Sequence, residues 1–252
     1  MELRIKTYGL PVAVDVWLHS ENFQEVEIYA KHPTYINTCY TQRVVKFKGN
    51  HHVKLLLPVS HEKGVIVVAR NNKTKKSTVK ISRYQLSHLE TKISVLPKDN
   101  KYLFEFINHA IDFCSRASFL PTGNYNSKNI RITYVDSLKV KNDEGKMVQS
   151  TSPARVNSHT KIIEVSKAFF KNRTIAGRFA VVCHEFAHVY MNNVTSSEFE
   201  ADKNAAMIYL GLGFPRADLI TVWADIYSAF DTKQNRQRME RYMSYVKSYD
   251  KL

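Results

Sequence analysis

The stretch Val181-Val182-Cys183-His184-Glu185-Phe186-Ala187-His188 carries a His-Glu-x-x-His pattern inside an apolar run. Successive helical residues turn by about 100°, so positions i and i+4 fall within roughly 40° of one another, one turn apart. His184 and His188 then share a face, at a separation that lets both imidazoles reach one zinc ion at about 2.0–2.1 Å. Glu185 stands one step round the same turn, placed to reach a water on the metal rather than the metal itself. A catalytic zinc takes three protein ligands, so a third must be supplied. Downstream, Glu198-Phe199-Glu200-Ala201-Asp202 offers Glu198, Glu200 and Asp202, and Glu198 and Asp202 are again i and i+4. One carboxylate can bind metal while another accepts a hydrogen bond from a ligand histidine and so fixes its tautomer.

The two motifs together resemble the gluzincin metallopeptidases. Among these the pattern is most similar to the group whose second motif reads Glu-x-x-Ala-Asp, which includes membrane-bound prenyl-protein endopeptidases and their soluble relatives. The resemblance implies Glu198 as third ligand, Asp202 as the residue behind a ligand histidine, Glu185 as general base, and one Zn2+ as cofactor. It implies a peptide or protein substrate and an endopeptidase rather than an exopeptidase. It also implies a zincin-like domain, a small sheet with active-site helices. In such domains the strand lining the cleft pairs with extended substrate backbone, a role that falls here on Ile162, Ile163, Glu164 and Val165. The resemblance spans roughly the last three-fifths of the chain and is specific over residues 181–212. This chain departs from the group in its short link from His188 to Glu198 and its lack of membrane spans.

The expected chemistry is zinc-dependent peptide hydrolysis. The metal lowers the pKa of its water toward about 7 and polarises the scissile carbonyl. Glu185 takes the water's proton and passes it to the leaving amine. Tyr209, Tyr227, Tyr242 and His159 are all candidates for an oxyanion donor, and the sequence does not choose among them.

Several elements must position these groups. Residues 1–96 read as β. Runs at 12–18, 25–29, 43–47, 53–57, 65–69 and 78–81 are rich in strand formers. Lys48-Gly49-Asn50 carries turn chemistry, which predicts a hairpin between 43–47 and 53–57, with His51-His52 at its flank. Strands at this spacing suggest an antiparallel sandwich. Lys73-Thr74-Lys75-Lys76 falls on a strand connection and reads as a solvated turn. Around residues 96–100 the period changes from two to 3.6: Phe104, Ile107, Ile111 and Cys114 mark an amphipathic helix. A strand follows at 130–135. Residues 137–158 are polar and form either a flap or a β-excursion. A second strand at 160–165 precedes the metal helix. That helix starts after Thr174 and carries Phe179, Val182, Phe186 and Val189 on a face other than the histidines. Residues 192–197 form a turn ending in a Ser197 cap. Two more helices are expected at 218–230 and 232–251, the last with Arg236, Arg238, Arg241 and Lys247 on a solvated basic side. The fold class is therefore α+β. A sandwich of residues 1–96, suited to binding or docking, precedes a metallopeptidase domain of residues 97–252.

Bulk properties narrow the setting. The chain has 252 residues, with Lys+Arg 37 against Asp+Glu 23 and a formal charge of +14. That excess favours acidic partners, but no RNA-binding aromatic signature, P-loop or zinc-finger spacing accompanies it. The three cysteines, Cys39, Cys114 and Cys183, are dispersed, which argues for a reducing, cytoplasmic-type compartment and against a disulfide scaffold. Charges at Glu2, Arg4 and Lys6 are incompatible with the apolar core of a standard signal peptide. No window reaches the ~20 apolar residues of a membrane span. A soluble protein is expected. The competing class is a binding or structural protein of a phage-type particle, with a structural or vestigial metal site and a docking partner for the β domain.

Overall fold

The structure, a computed structural model, describes every residue except 36, 75–77, 98–99, 143, 192–196, 230–231 and 250–252. The chain is α+β and folds as two compact units. The first comprises Met1–Thr91 with Thr174–Ala176 and Leu212–Asp218. The second comprises Lys92–Arg173, Gly177–Gly211 and Leu219–Leu252.

The first unit is built on one long ribbon. Strands β1 (Glu2–Ile5), β2 (Val12–Lys31), β3 (Cys39–Leu57), β4 (Val65–Asn71) and β5 (Lys80–His88) form a single antiparallel sheet in the order β1-β4-β2-β3, with β5 also paired to β2. The first half of β2 lies between β3 and β5, and the second half between β3 and β4. Alternation sets the core: Val14, Val16, Leu18, Val26, Ile28 and Ala30 of β2 are wholly buried. The hairpin expected at Lys48-Gly49-Asn50 does not exist. Residues 53–57 pair with the start of β2, not with 43–47, and β3 runs straight through. Gly49 uses its positive φ of 76° opposite Ser20, where the register shifts between Ser20 and Gln24. The turn chemistry thus serves a bulge that bends the ribbon. His51 and His52 accordingly lie within β3, where His52 meets Asp15 at 2.7 Å and stacks on Trp17. The strand expected at 78–81 is the start of β5, which continues to His88. Part of the basic 73–76 cluster lies outside the described residues.

The second unit sets helices against a small sheet. Its elements are α1 (Leu103–Arg116), β6 (Gly123–Asn126), β7 (Arg131–Val135), β8 (Lys139–Lys141), β9 (Met147–Gln149), β10 (Ala154–Val156), β11 (Ile162–Ser166) and α2 (Lys167–Phe170), followed by α3 (Ile175–Tyr190) from Gly177 on, α4 (Glu198–Gly211), α5 (Arg216–Ser228) from Leu219 on, and α6 (Lys233–Ser248). The sheet order is β10-β11-β7-β6, with β11 and β7 parallel and the other pairs antiparallel; β8 and β9 form a separate hairpin. Ile132, Tyr134, Ile163 and Val165 bury one sheet face. The apolar side of α3 packs on α1: Phe106 stacks on Phe186 at 3.9 Å and on Phe179 at 6.2 Å. Burying an aromatic ring in this way resists truncation by about 3–5 kcal/mol. That packing fixes the rotation of α3 and so the direction in which its opposite face points.

Candidate metal centre

His184 and His188 project from that opposite face with their Nε2 atoms 3.0 Å apart and their rings perpendicular. Glu198, the first residue of α4, brings Oε2 to 3.3 Å from His184 Nε2 and Oε1 to 3.5 Å from His188 Nε2. Three groups from two helices therefore converge, with one ligand atom from each lying within 4.8 Å of the others. A tetrahedral ion about 2.0–2.1 Å from each ligand separates them by about 3.3 Å; the two imidazole nitrogens are 3.0 Å apart, and each has a Glu198 oxygen at comparable range. Ser197 accepts a hydrogen bond from the Glu200 N–H at 3.4 Å, capping the start of α4. Glu200 itself is exposed and faces Lys203 at 3.9 Å. Of the two glutamates, the one brought to the imidazoles is Glu198. Most of the turn before Ser197 lies outside the described residues.

Asp202, wholly buried one turn further along α4, sits behind the imidazoles, with Oδ1 2.9 Å from His184 Nδ1. It also accepts from the Tyr227 hydroxyl at 3.0 Å and from two nitrogens of Arg238. Trp223 packs edge-on against the His184 ring at 5.1 Å. Burial disfavours a charged His184, but Asp202 and Glu198 outweigh it and raise its pKa to about 9. Burial likewise opposes ionisation of Asp202, and His184 and Arg238 override it, holding the carboxyl below its ordinary range. The neighbouring His184 holds Glu198 down to about 2. The carboxylates around His184 thus favour positive charge on that ring.

Glu185 is buried at 8% exposure, and burial pushes its pKa upward. The nearby His184 and His188, and the backbone of Val156 in β10, oppose that rise. Glu185 and Val156 both face a cleft of about 420 Å³ lined by Ser152, Ala154, Arg155, Val156 and Ser158 on one side and by His184, Glu185, His188, Val189 and Glu198 on the other. The side chain of Glu198 is 53% exposed, so the three converging groups open to this cleft.

Ile162, Ile163, Glu164 and Val165, expected to pair with substrate, are placed elsewhere. They belong to β11, whose edges are both taken, by β10 antiparallel and by β7 parallel. The strand whose outer edge ends the sheet beside the cleft is β10. The oxyanion candidates also fare poorly. Tyr209 and Tyr242 are wholly buried, Tyr227 gives its hydroxyl to Asp202, and none of the three lines the cleft. His159 is exposed beside Ser158, a cleft residue. Arg238, expected on a solvated helix side, instead reaches the centre. A lone arginine in an Arg-rich helix carries no local signal of that.

No protein-family model matches the chain, and no curated protein matches it. The geometry of the site is therefore what speaks for its chemistry. Among the described residues, no helix is long and apolar enough to cross a membrane.

Proposed function

We propose that this chain is a metal-dependent peptide hydrolase, with His184, His188 and Glu198 holding a divalent ion and Glu185 acting as general base. The observation that carries the reading is the convergence of the His184 and His188 imidazoles, their Nε2 atoms 3.0 Å apart, with the Glu198 carboxylate, one ligand atom from each lying within 4.8 Å of the others and opening to a cleft. Two imidazoles and one carboxylate suit zinc, and three protein ligands with an open fourth position are the catalytic rather than the structural pattern. Such an ion, when bound, acidifies a water and polarises a peptide carbonyl.

The rest of the work falls to the chain. Asp202 holds His184 in one orientation and makes it a stronger donor. Glu185, its pKa raised by burial, takes a proton from water in the cleft and returns it to the departing amine. Val156 lines the same cleft as that carboxylate. The hydrogen bonds of Pro153 and Asn157 run toward β11, so alternation turns the main-chain groups of Ala154 and Val156 to the outer edge. An extended peptide pairs there, on β10, in the role first expected of β11. This reading groups the second unit with zincin-like folds of the gluzincin kind and leaves the β-rich unit as a docking module.

The test is cleavage of an unfolded protein such as casein by zinc-loaded protein, with and without a chelator. Wild type cleaves and the chelator stops it. Glu185→Gln keeps its metal and loses about 10²–10⁴-fold in turnover. Full cleavage by metal-loaded Glu185→Gln would defeat the assignment. A metal sphere closed by a fourth protein ligand would favour a structural role instead.

A further inference from the structure

Arg238 stands out among the groups that the proposed chemistry leaves unused. It is carried by α6, whose first turn is capped by Thr232 accepting from the Asn235 N–H at 3.1 Å. Its side chain is only 18% exposed and lies over the Tyr227 ring at 5.0 Å. Nε and Nη2 grip Asp202 at 2.5 and 2.8 Å, and Nη2 also lies 2.8 Å from Glu198 Oε2. One guanidinium thus spans a full turn of α4, tying the half-exposed carboxylate at its start to the buried one behind His184.

We propose that Arg238 is a positioning residue for the metal centre, fixing the Glu198 carboxylate so that it presents a set oxygen geometry to the imidazole pair; this rests on the metal reading above. Glu198 needs such a hold. It begins a helix, more than half its side chain is exposed, and an unheld carboxylate there is free to swing between rotamers. The planar fork of arginine meets two carboxylates at once in a way that a lysine, a point charge on a flexible stem, does not.

The sign of the effect separates this role from plain electrostatics. A cation close to a bound divalent ion repels it, so deleting the Arg238 charge tightens metal binding if charge alone matters. If the guanidinium positions the ligand, deleting it weakens binding despite the lost repulsion. Arg178 supplies a structural control. It is wholly buried in the same unit and donates to the carbonyls of Phe170 and Cys114, away from the three converging groups.

The experiment measures Co2+ and Zn2+ affinity by chelator competition, the visible absorption of the Co2+-loaded protein, and the melting temperature, for wild type, Arg238→Met, Arg238→Lys and Arg178→Met. Arg238→Met is expected to lose about 10–100-fold in metal affinity, as partners behind ligands do, and to shift the Co2+ absorption bands. Arg238→Lys, which keeps the charge, is expected to be impaired in the same direction. Arg178→Met is expected to melt earlier and to keep the wild-type Co2+ spectrum. Unchanged or tighter metal binding with an unchanged spectrum in a folded Arg238→Met or Arg238→Lys protein overturns the proposal and leaves the metal centre standing. A wild type that binds neither ion overturns the metal reading itself.

Discussion

Two histidines, one in each unit, are buried to nearly the same degree, with His32 at 7% exposure and His184 at 6%. Their surroundings differ completely. His32 packs against the rings of Tyr35, Tyr40 and His61, and its Nδ1 accepts from the N–H groups of Thr34 and Tyr35. Burial, with His61 beside it, takes its pKa down to about 4. His184 meets two carboxylates and its pKa rises to about 9. Burial alone makes a histidine a neutral packing element. Carboxylates on both ring nitrogens make an equally buried one a cation receptor, and the second environment is the one that suits a metal.

Between the two histidines, the larger expected effect comes from removing the feature that separates them. Asp202→Asn takes the negative charge from behind His184 and moves its surroundings toward those of His32. Zinc affinity is expected to fall about 10–100-fold in chelator competition, with the fold confirmed by near-UV circular dichroism. An unchanged affinity would mean that Asp202 serves packing alone.

A smaller effect is expected at the other histidine. The folded pKa of His32 lies near 4 and the unfolded value near 6.5, so the unfolded chain binds the extra proton between them. Stability is full above about pH 6.5, declines as pH falls toward 4, and the loss amounts to about 1–3 kcal/mol. Urea unfolding at pH 7.5 and 4.5 measures it, and His32→Asn flattens that part of the profile. A wild-type slope that survives His32→Asn assigns the proton to another group. The smallest effect is expected at Glu200, which is exposed and turned toward Lys203. Glu200→Gln should change zinc affinity by less than about 2-fold, as surface charge changes do; a loss matching that of Glu198→Gln would reverse the ligand choice.

What the sequence reveals follows the range of each interaction. The proximity of His184 and His188 is legible because i, i+4 spacing fixes it within one helical turn. Glu198 and Glu200 are both plausible by spacing, and only the orientation of α4 relative to α3 separates them. The change of period at 96–100 identifies α1, but of its four marks only Ile107 and Cys114 lie on the buried face, Phe104 being exposed and Ile111 half-buried; Phe179 and Phe186 foretell the packed side of α3. The runs at 43–47 and 53–57 show strands, yet not that they are one strand, since bulge and hairpin use the same glycine chemistry at Gly49. Whether β10 or β11 forms the edge depends on pairing across the chain, which no local pattern encodes. Arg238 meets Asp202 across 36 positions, and its role is invisible without the fold.

The central claim is that three side chains hold one divalent ion. Elemental analysis of protein purified without chelator, wild type beside His188→Ala and His32→Asn, tests it most directly. The account predicts close to one equivalent of zinc in wild type and in His32→Asn, and almost none in His188→Ala. Zinc absent from wild type after reloading, or retained in full by His188→Ala, would contradict it.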